Sequence, residues 1–203
     1  MTPIPKLSLP QQIAWQAEFI VNNLQQTDYQ HIENIDVDRG VYDCDCNGFV
    51  GFVLERAAPD HYAMIPIEPG QQRPRAYIYY EFFTSPTLPG GWQQIAVLLN
   101  VRRGDIIAWR VAEIVEGQDT GHVFFVAETP TIVDPGVYAV RVYDSAAVAH
   151  YDDTRADGES GVGSGFINFQ VDDTGAPTAF QFGPSQDQFL TLPIAIGRVE
   201  PLP

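Results

Sequence analysis

"VYDCDCNGFV", residues 41–50, holds both cysteines of the 203-residue chain and runs straight into an apolar stretch. Three readings compete for it: a metal clip, a redox pair, or one nucleophilic thiol beside an inert neighbour. A closed zinc site takes four ligands, yet the histidines (His31, His61, His122 and His150) show no H-x-x-x-H spacing and there is no second cysteine pair. A disulfide between cysteines two apart is strained, and the C-x-x-C redox spacing is absent. No metal and no cofactor is expected, and a single working thiol is left. From Cys46 onward, Phe49, Val50, Val53 and Leu54 recur at helical spacing, which predicts a helix packed on a core and stopped near Pro59. A sulfur at the start of that helix meets the positive end of its dipole, an arrangement that favours thiolate. Cys46 is the candidate nucleophile, and Cys44 is read as a small core residue.

The flanking sequence sets this helix in a mixed fold. Ile13, Trp15, Phe19, Ile20 and Leu24 follow helical spacing over residues 11–25, with an acidic loop from Thr27 to Gly40. "RPRAYIYYEFFTSP" fits helix or strand and is assigned to helix. After Gly91 the chain turns to short β-branched and aromatic runs parted by Gly, Pro and Asp: "DIIAWRVAEI", "HVFFVAE", "VYAVRVYDS", "GFINFQVDD", "TAFQFG" and "LPIAIGRVE". Helices followed by an antiparallel sheet make an α+β class, one domain over residues 1–203, with strands from 160–200 completing the sheet. Trp15, Trp92 and Trp109 are expected in the core. The glycine-rich "GESGVGSG", residues 158–165, lacks the Lys-Ser/Thr ending of a phosphate loop and reads as a surface loop.

The totals narrow the partners. A net charge of −15 repels a phosphate backbone, so nucleic acid is not expected as a ligand. The start "MTPIPKLSLPQQIAWQ" lacks the basic and apolar regions of a secretory signal, and no stretch reaches the ~20 apolar residues of a membrane span. The expectation is no membrane insertion and a cytoplasmic location unless export follows a non-standard route.

A nucleophilic thiol needs a base and a group to orient it. His122 opens the strand "GHVFFV". On the next strand Tyr138, Val140, Val142 and Asp144 share one face. A carboxylate ending an apolar row needs a partner, and antiparallel pairing of the two strands brings Asp144 beside His122. In "HYDDTR", an Asp153–Arg155 pair is expected to hold the loop, and His150 or Arg155 is a candidate for touching substrate.

Three segments, in order, resemble the NlpC-type cell-wall cysteine peptidases of the papain-like superfamily. "DCNGFV" (45–50) is similar to that family's Asp-Cys-Ser-Gly-aliphatic-Val signature, "RGDIIAW" (103–109) to its Pro-Gly-Asp-Leu-Val-Phe-Phe stretch, and "GHVFFV" (121–126) to its Gly-His-Val-Gly-Ile-Tyr strand. The resemblance covers about residues 40–145. It implies a papain-like NlpC-type fold with Cys46 as nucleophile and His122 as general base. Asp144 stands where the family usually has His, Asn or Gln. Tyr42 is assigned to the oxyanion site, and Asp45, Asn47 and His150 to substrate contact. Asn47 replaces the usual Ser. The implied reaction is cleavage of an amide in a peptide, foremost a peptidoglycan stem peptide. An acyltransferase or deamidase using the same residues, or a catalytically inactive binding module, are the alternatives.

Overall fold

The computed structural model describes residues 7–115 and 117–203. Helix α1 (Leu9–Asn22) opens with Ser8 and Gln11 in a reciprocal capping box and with Pro10 in its first turn, features that satisfy or dispense with orphan N–H groups. It ends at Asn22, a few residues short of the expected end. A small antiparallel pair, β1 (Asn34–Asp36) and β2 (Val41–Asp43), replaces much of the expected acidic loop. Helix α2 (Cys46–Ala57) begins at the second cysteine, as its apolar spacing predicts. Pro59 does not simply end it but starts the one-turn helix α3 (Pro59–Tyr62). The ambiguous aromatic run is helix α4 (Ala76–Phe83).

The remaining chain builds an eight-stranded antiparallel sheet. Its strands are β3 (Trp92–Gln94), β4 (Ile106–Arg110), β5 (Gly121–Val126), β6 (Thr131–Asp134), β7 (Val137–Ala146), β8 (Gly161–Val171), β9 (Pro177–Gln181) and β10 (Ile194–Val199). The order is β3-β10-β4-β5-β7-β8-β9, with β6 also paired to β7. The last strand is thus laid between two early ones, which ties the C-terminal region into the sheet one strand in from its β3 edge. The class is α+β.

Period-two alternation splits the apolar residues between two cores. Ile106, Ala108, Val123, Phe125 and Tyr143 join Ile13, Ile20, Phe49, Val50 and Tyr79 of the helices. Ile107, Trp109, Phe124, Val126, Val140 and Val142 gather on the other face with Ile167, Phe169 and Phe180. Trp109 of β4 stacks on Phe180 of β9 at 3.8 Å between centroids, so the far edge of the sheet curls back over its own second face. Trp92 and Trp109 are buried as expected. Trp15 is not: it stays 52% exposed, stacked on Phe19 along the outer side of α1, because Ile13, Ala17 and Ile20 already fill the inward stripe.

One buried ion pair ties β10 to the start of β4. Arg198 forks onto Asp105 at 2.8 and 2.7 Å, and Asp105 also accepts the Arg102 N–H at 2.8 Å. Removing one member of a buried pair strands the other charge. Asp105→Ala should therefore lower stability by about 3–5 kcal/mol, read as a fall in the urea midpoint; an unchanged midpoint would contradict this role.

Candidate active site

The site forms where two neighbouring strands part. β5 and β7 pair only at Phe125 with Tyr143 and at Val126 with Val142. Toward Val123 and Ser145 the ladder is not continued, and the entry to α2 fills the opening. Ser145 Oγ donates to Cys44 O at 2.6 Å, and the Val123 N–H lies near enough to the Cys46 sulfur to favour its anion. The Ser145 hydroxyl thus finds its acceptor in the turn that leads into α2, as a buried polar group must. The plug holds the thiol against the amide that directly follows His122.

Asp45 shapes the helix start. Its Oδ1 caps α2 through the Gly48 N–H at 2.8 Å, worth ~1 kcal/mol for a typical cap. The same carboxylate takes Arg73 at 3.0 Å and His31 at 3.1 Å. The Cys46 side chain contacts Asn47 Oδ1 at 3.6 Å, and Tyr29 shares the cleft lining with it. Burial first, then the Asp45 charge, push the Cys46 thiol well above its ordinary range, although the Val123 N–H opposes them. This corrects the expectation of a resting thiolate: the helix start supplies positive potential, but desolvation beside a carboxylate outweighs it. Cys44 is fully buried, and its thiol is pushed up to about 12, chiefly by that burial.

His122 and Asp144 sit on the sheet face away from the helices. Gly121, at φ 125°, precedes the histidine with its Cα packed against Trp109 O, where a Cβ has no room. The imidazole lies among Trp109, Phe124 and Phe182, at 5.2–5.6 Å between centroids. Its Nε2 meets Asp144 Oδ2 at 2.6 Å, the contact that strand alternation anticipates. A carboxylate accepts, so the ring proton resides on Nε2 and the lone pair on Nδ1. Among the described residues no hydrogen bond joins the thiol directly to the imidazole.

Asp144 is wholly buried. Besides His122 it accepts from His150 Nε2 at 2.8 Å and from Arg155 at 3.0 Å. Burial alone would raise its pKa; His150 and Arg155, with the hydrogen bonds from both histidines, overcome this and hold it well below the usual carboxylate range. The His122, His150 and Asp144 ligand atoms cluster within 4.8 Å. Their 2.6 and 2.8 Å separations are those of hydrogen bonds, whereas tetrahedral zinc ligands at about 2.0 Å from the ion stand roughly 3.3 Å apart. The cluster is a proton-mediated network.

A cleft of about 930 Å³ opens over Cys46 and is lined by Tyr29, Asp45, Asn47, Arg73, Asp119 and Thr120 among others. Two expectations fail here. Tyr42 does not reach the cleft: its ring packs edge-on against Phe52 inside the helical core. His150 cannot touch substrate, because its side chain is fully buried behind Asp144 with Nδ1 on Phe182 O at 2.9 Å. Tyr29, passed over as part of an acidic loop, is the tyrosine beside the sulfur; it precedes β1, held by its N–H to Ser160 Oγ at 3.0 Å. Arg73 also escaped notice, since nothing in "GQQRPR" signals that this wall folds onto Asp45.

No family model, curated protein or solved structure matches the chain. The low Asp144 pKa has a stability consequence. A carboxyl depressed on folding contributes stability that is complete above the ordinary carboxylate range and is lost as pH falls through the folded value. Asp144→Asn should be less stable than wild type by about 3–5 kcal/mol at neutral pH, with the gap narrowing below about pH 4. Urea midpoints across pH measure this, and a pH-independent gap would contradict it.

Proposed function

We propose that this chain is a cysteine hydrolase of the papain-like, NlpC type that cleaves an amide bond in a peptide substrate. One observation carries the reading: a thiol at a helix start lies against the amide next to a histidine whose Nε2 is fixed by a buried carboxylate. That arrangement leaves Nδ1 as the nitrogen able to accept a proton. The motif order Cys46, His122 and then an orienting acid on the following strand agrees with it.

The chemistry follows from the proton inventory. In the resting state the thiol is neutral, because burial and the Asp45 charge favour its protonated form. On substrate binding, Nδ1 takes the sulfur's proton as Sγ bonds to the amide carbonyl carbon, and Asp144 steadies the imidazolium through Nε2. The helical first turn leaves the Cys46 and Asn47 amides without intrahelical acceptors, so they, together with the Tyr29 hydroxyl, are the donors for the oxyanion. Collapse breaks the C–N bond, Nδ1 returns its proton to the departing amine, and a thioester is left. Water then attacks the thioester with Nδ1 again accepting a proton; the carboxylic acid leaves and the thiol is restored. The missing thiol–imidazole hydrogen bond is compatible with this course, since such contacts often tighten only with substrate bound.

The cleft's acidic side chains, Glu33, Asp45 and Asp119, outnumber Arg73 once Arg75 is set against its partner Glu68 at 2.6 Å. A peptide presenting an amine fits that balance, and a peptidoglycan stem peptide remains the leading substrate. The raised thiol pKa favours one other reading, an inactive module that binds such peptides without cutting them.

Purified peptidoglycan and synthetic stem peptides, incubated with wild type and with Cys46→Ala, decide between the two. Mass spectrometry should find hydrolysed peptide with wild type and about 10³-fold less or none with the variant. Equal rates would overturn the proposal, and peptide binding by both proteins with no product from either would establish the binding module.

A further inference from the structure

The strap of residues 149–155, between β7 and β8, is built with more care than a surface connection requires. It folds back along β8: Tyr151 bridges Phe166, the Thr154 N–H donates to Ser164 O at 2.8 Å, and the Ser164 N–H donates to Thr154 Oγ1 at 2.9 Å. Asp152 takes φ 46°, alone among the described non-glycine residues in the left-handed region. The strap can lie so close because the facing strand carries glycine at the two positions beneath His150 and Arg155. A Cβ on Gly163 would fall 2.7 Å from Arg155 Nε, and one on Gly165 would fall 2.7 Å from His150 Cβ. The glycines of "GVGSG" are thus the floor on which His150 and Arg155 rest.

From that floor both side chains point at Asp144. Arg155 reaches Asp144 Oδ1 at 3.0 Å, Asp153 at 2.7 and 2.9 Å and the Gly161 carbonyl at 2.8 Å. His150 meets Phe182 O through Nδ1 at 2.9 Å and Asp144 Oδ2 through Nε2 at 2.8 Å. Both of those oxygens only accept, so both ring nitrogens donate. The His150 N–H is itself held by Asp153 at 2.7 Å. The charged and titratable groups facing Asp144 are His122 from β5, His150 and Arg155 from the strap with Asp153 behind them, and Cys46 from α2. Gly163 stands opposite Asp144 in the ladder and offers none.

We propose that His150 and Arg155 are positioning residues: the strap clamps Asp144 as the fixed carboxylate partner of His122 and so sets the acid limit of Cys46 reactivity. Neither residue touches substrate; both act through Asp144. Arg155 occupies one oxygen, so the other is turned toward the two histidines. His150 shares that second oxygen and prevents it from swinging away from His122. Without the clamp a buried carboxyl binds a proton at higher pH, and a protonated Asp144 no longer stabilises the imidazolium that accompanies thiolate formation. This inference rests on the catalytic reading of Cys46 and His122, but it also makes a claim about Asp144 and His122 alone.

Two readouts separate those layers. The first is the proton NMR signal of the His122 ring N–H, displaced far downfield by its short bond to a carboxylate and independent of any turnover. The second is the rate of Cys46 alkylation by iodoacetamide against pH, located by peptide mass spectrometry on a Cys44→Ala background. Arg155→Met is the strongest variant; Arg155→Lys, which keeps the charge without the fork, and His150→Gln, which keeps one donor, serve if it fails to fold. In every folded variant the downfield signal should weaken or move, and the acid limb of alkylation should rise by about one pH unit for Arg155→Met and by less for Arg155→Lys. At a fixed acid pH that is about a tenfold slower reaction. An unmoved signal and an unmoved limb in folded variants would overturn the clamp. A moved signal with an unmoved limb would confine the clamp to Asp144 and overturn its control of the thiol. If Cys46→Ala also hydrolyses peptides as wild type does, the catalytic reading fails separately.

Discussion

The fold turns on an interrupted strand pairing. β5 and β7 are neighbours for two residue pairs and then part, and backbone groups released there cannot remain buried and unpaired. The turn into α2 occupies the opening: the Cys44 carbonyl accepts the Ser145 hydroxyl, and the Val123 amide lies where it favours the Cys46 thiolate. Because Cys46 stands in the helical core while His122 and Asp144 line the opposite face, a continuous ladder would separate thiol from imidazole. The gap is what lets two faces of one sheet contribute to a single site.

Electrostatics at this junction pull in opposite directions. Around the sulfur, burial and Asp45 favour the neutral thiol. Around Asp144, two donor histidines and a guanidinium favour the anion despite complete burial. In the proposed reaction the resting negative charge is stored on the carboxylate, two steps from the substrate, and the thiolate is created only when the proton can move to an oriented imidazole. Isolated buried ions are costly, and the extended network of Asp144, Asp153, His150 and Arg155 offsets that cost with charge-assisted hydrogen bonds.

Much of the architecture was legible in the sequence, for identifiable reasons. Apolar spacing located α2, since Phe49, Val50, Val53 and Leu54 share a buried stripe in a helix whose first turn falls at Cys46. Strand alternation paired Asp144 with His122 because a carboxylate closing an apolar row has few affordable neighbours. What escaped depended on distant chain closure. Tyr29 reaches the sulfur from a segment fixed by Ser160, more than a hundred residues on, and no local pattern marks it. Tyr42, nearer in sequence, was the wrong tyrosine because alternation in β2 turns its ring into the core. The "GVGSG" glycines read as a surface loop, whereas residues 161–165 are the buried start of β8, and their bareness is the condition for packing the strap beneath Asp144. Trp15 was misplaced because its size suggested burial while smaller residues had already filled the inner face of α1.

The central claim is that the Cys46 thiol and the His122 imidazole exchange a proton across the gap between β5 and β7. Ultraviolet difference titration of thiolate absorbance, wild type minus Cys46→Ser, tests it most directly when repeated in a His122→Ala background. The account predicts that the wild-type thiol stays neutral at neutral pH and ionises only in alkaline solution, and that loss of the imidazole delays that ionisation further. Superimposable curves in the two backgrounds would show that the sulfur titrates without regard to the histidine, and would contradict it.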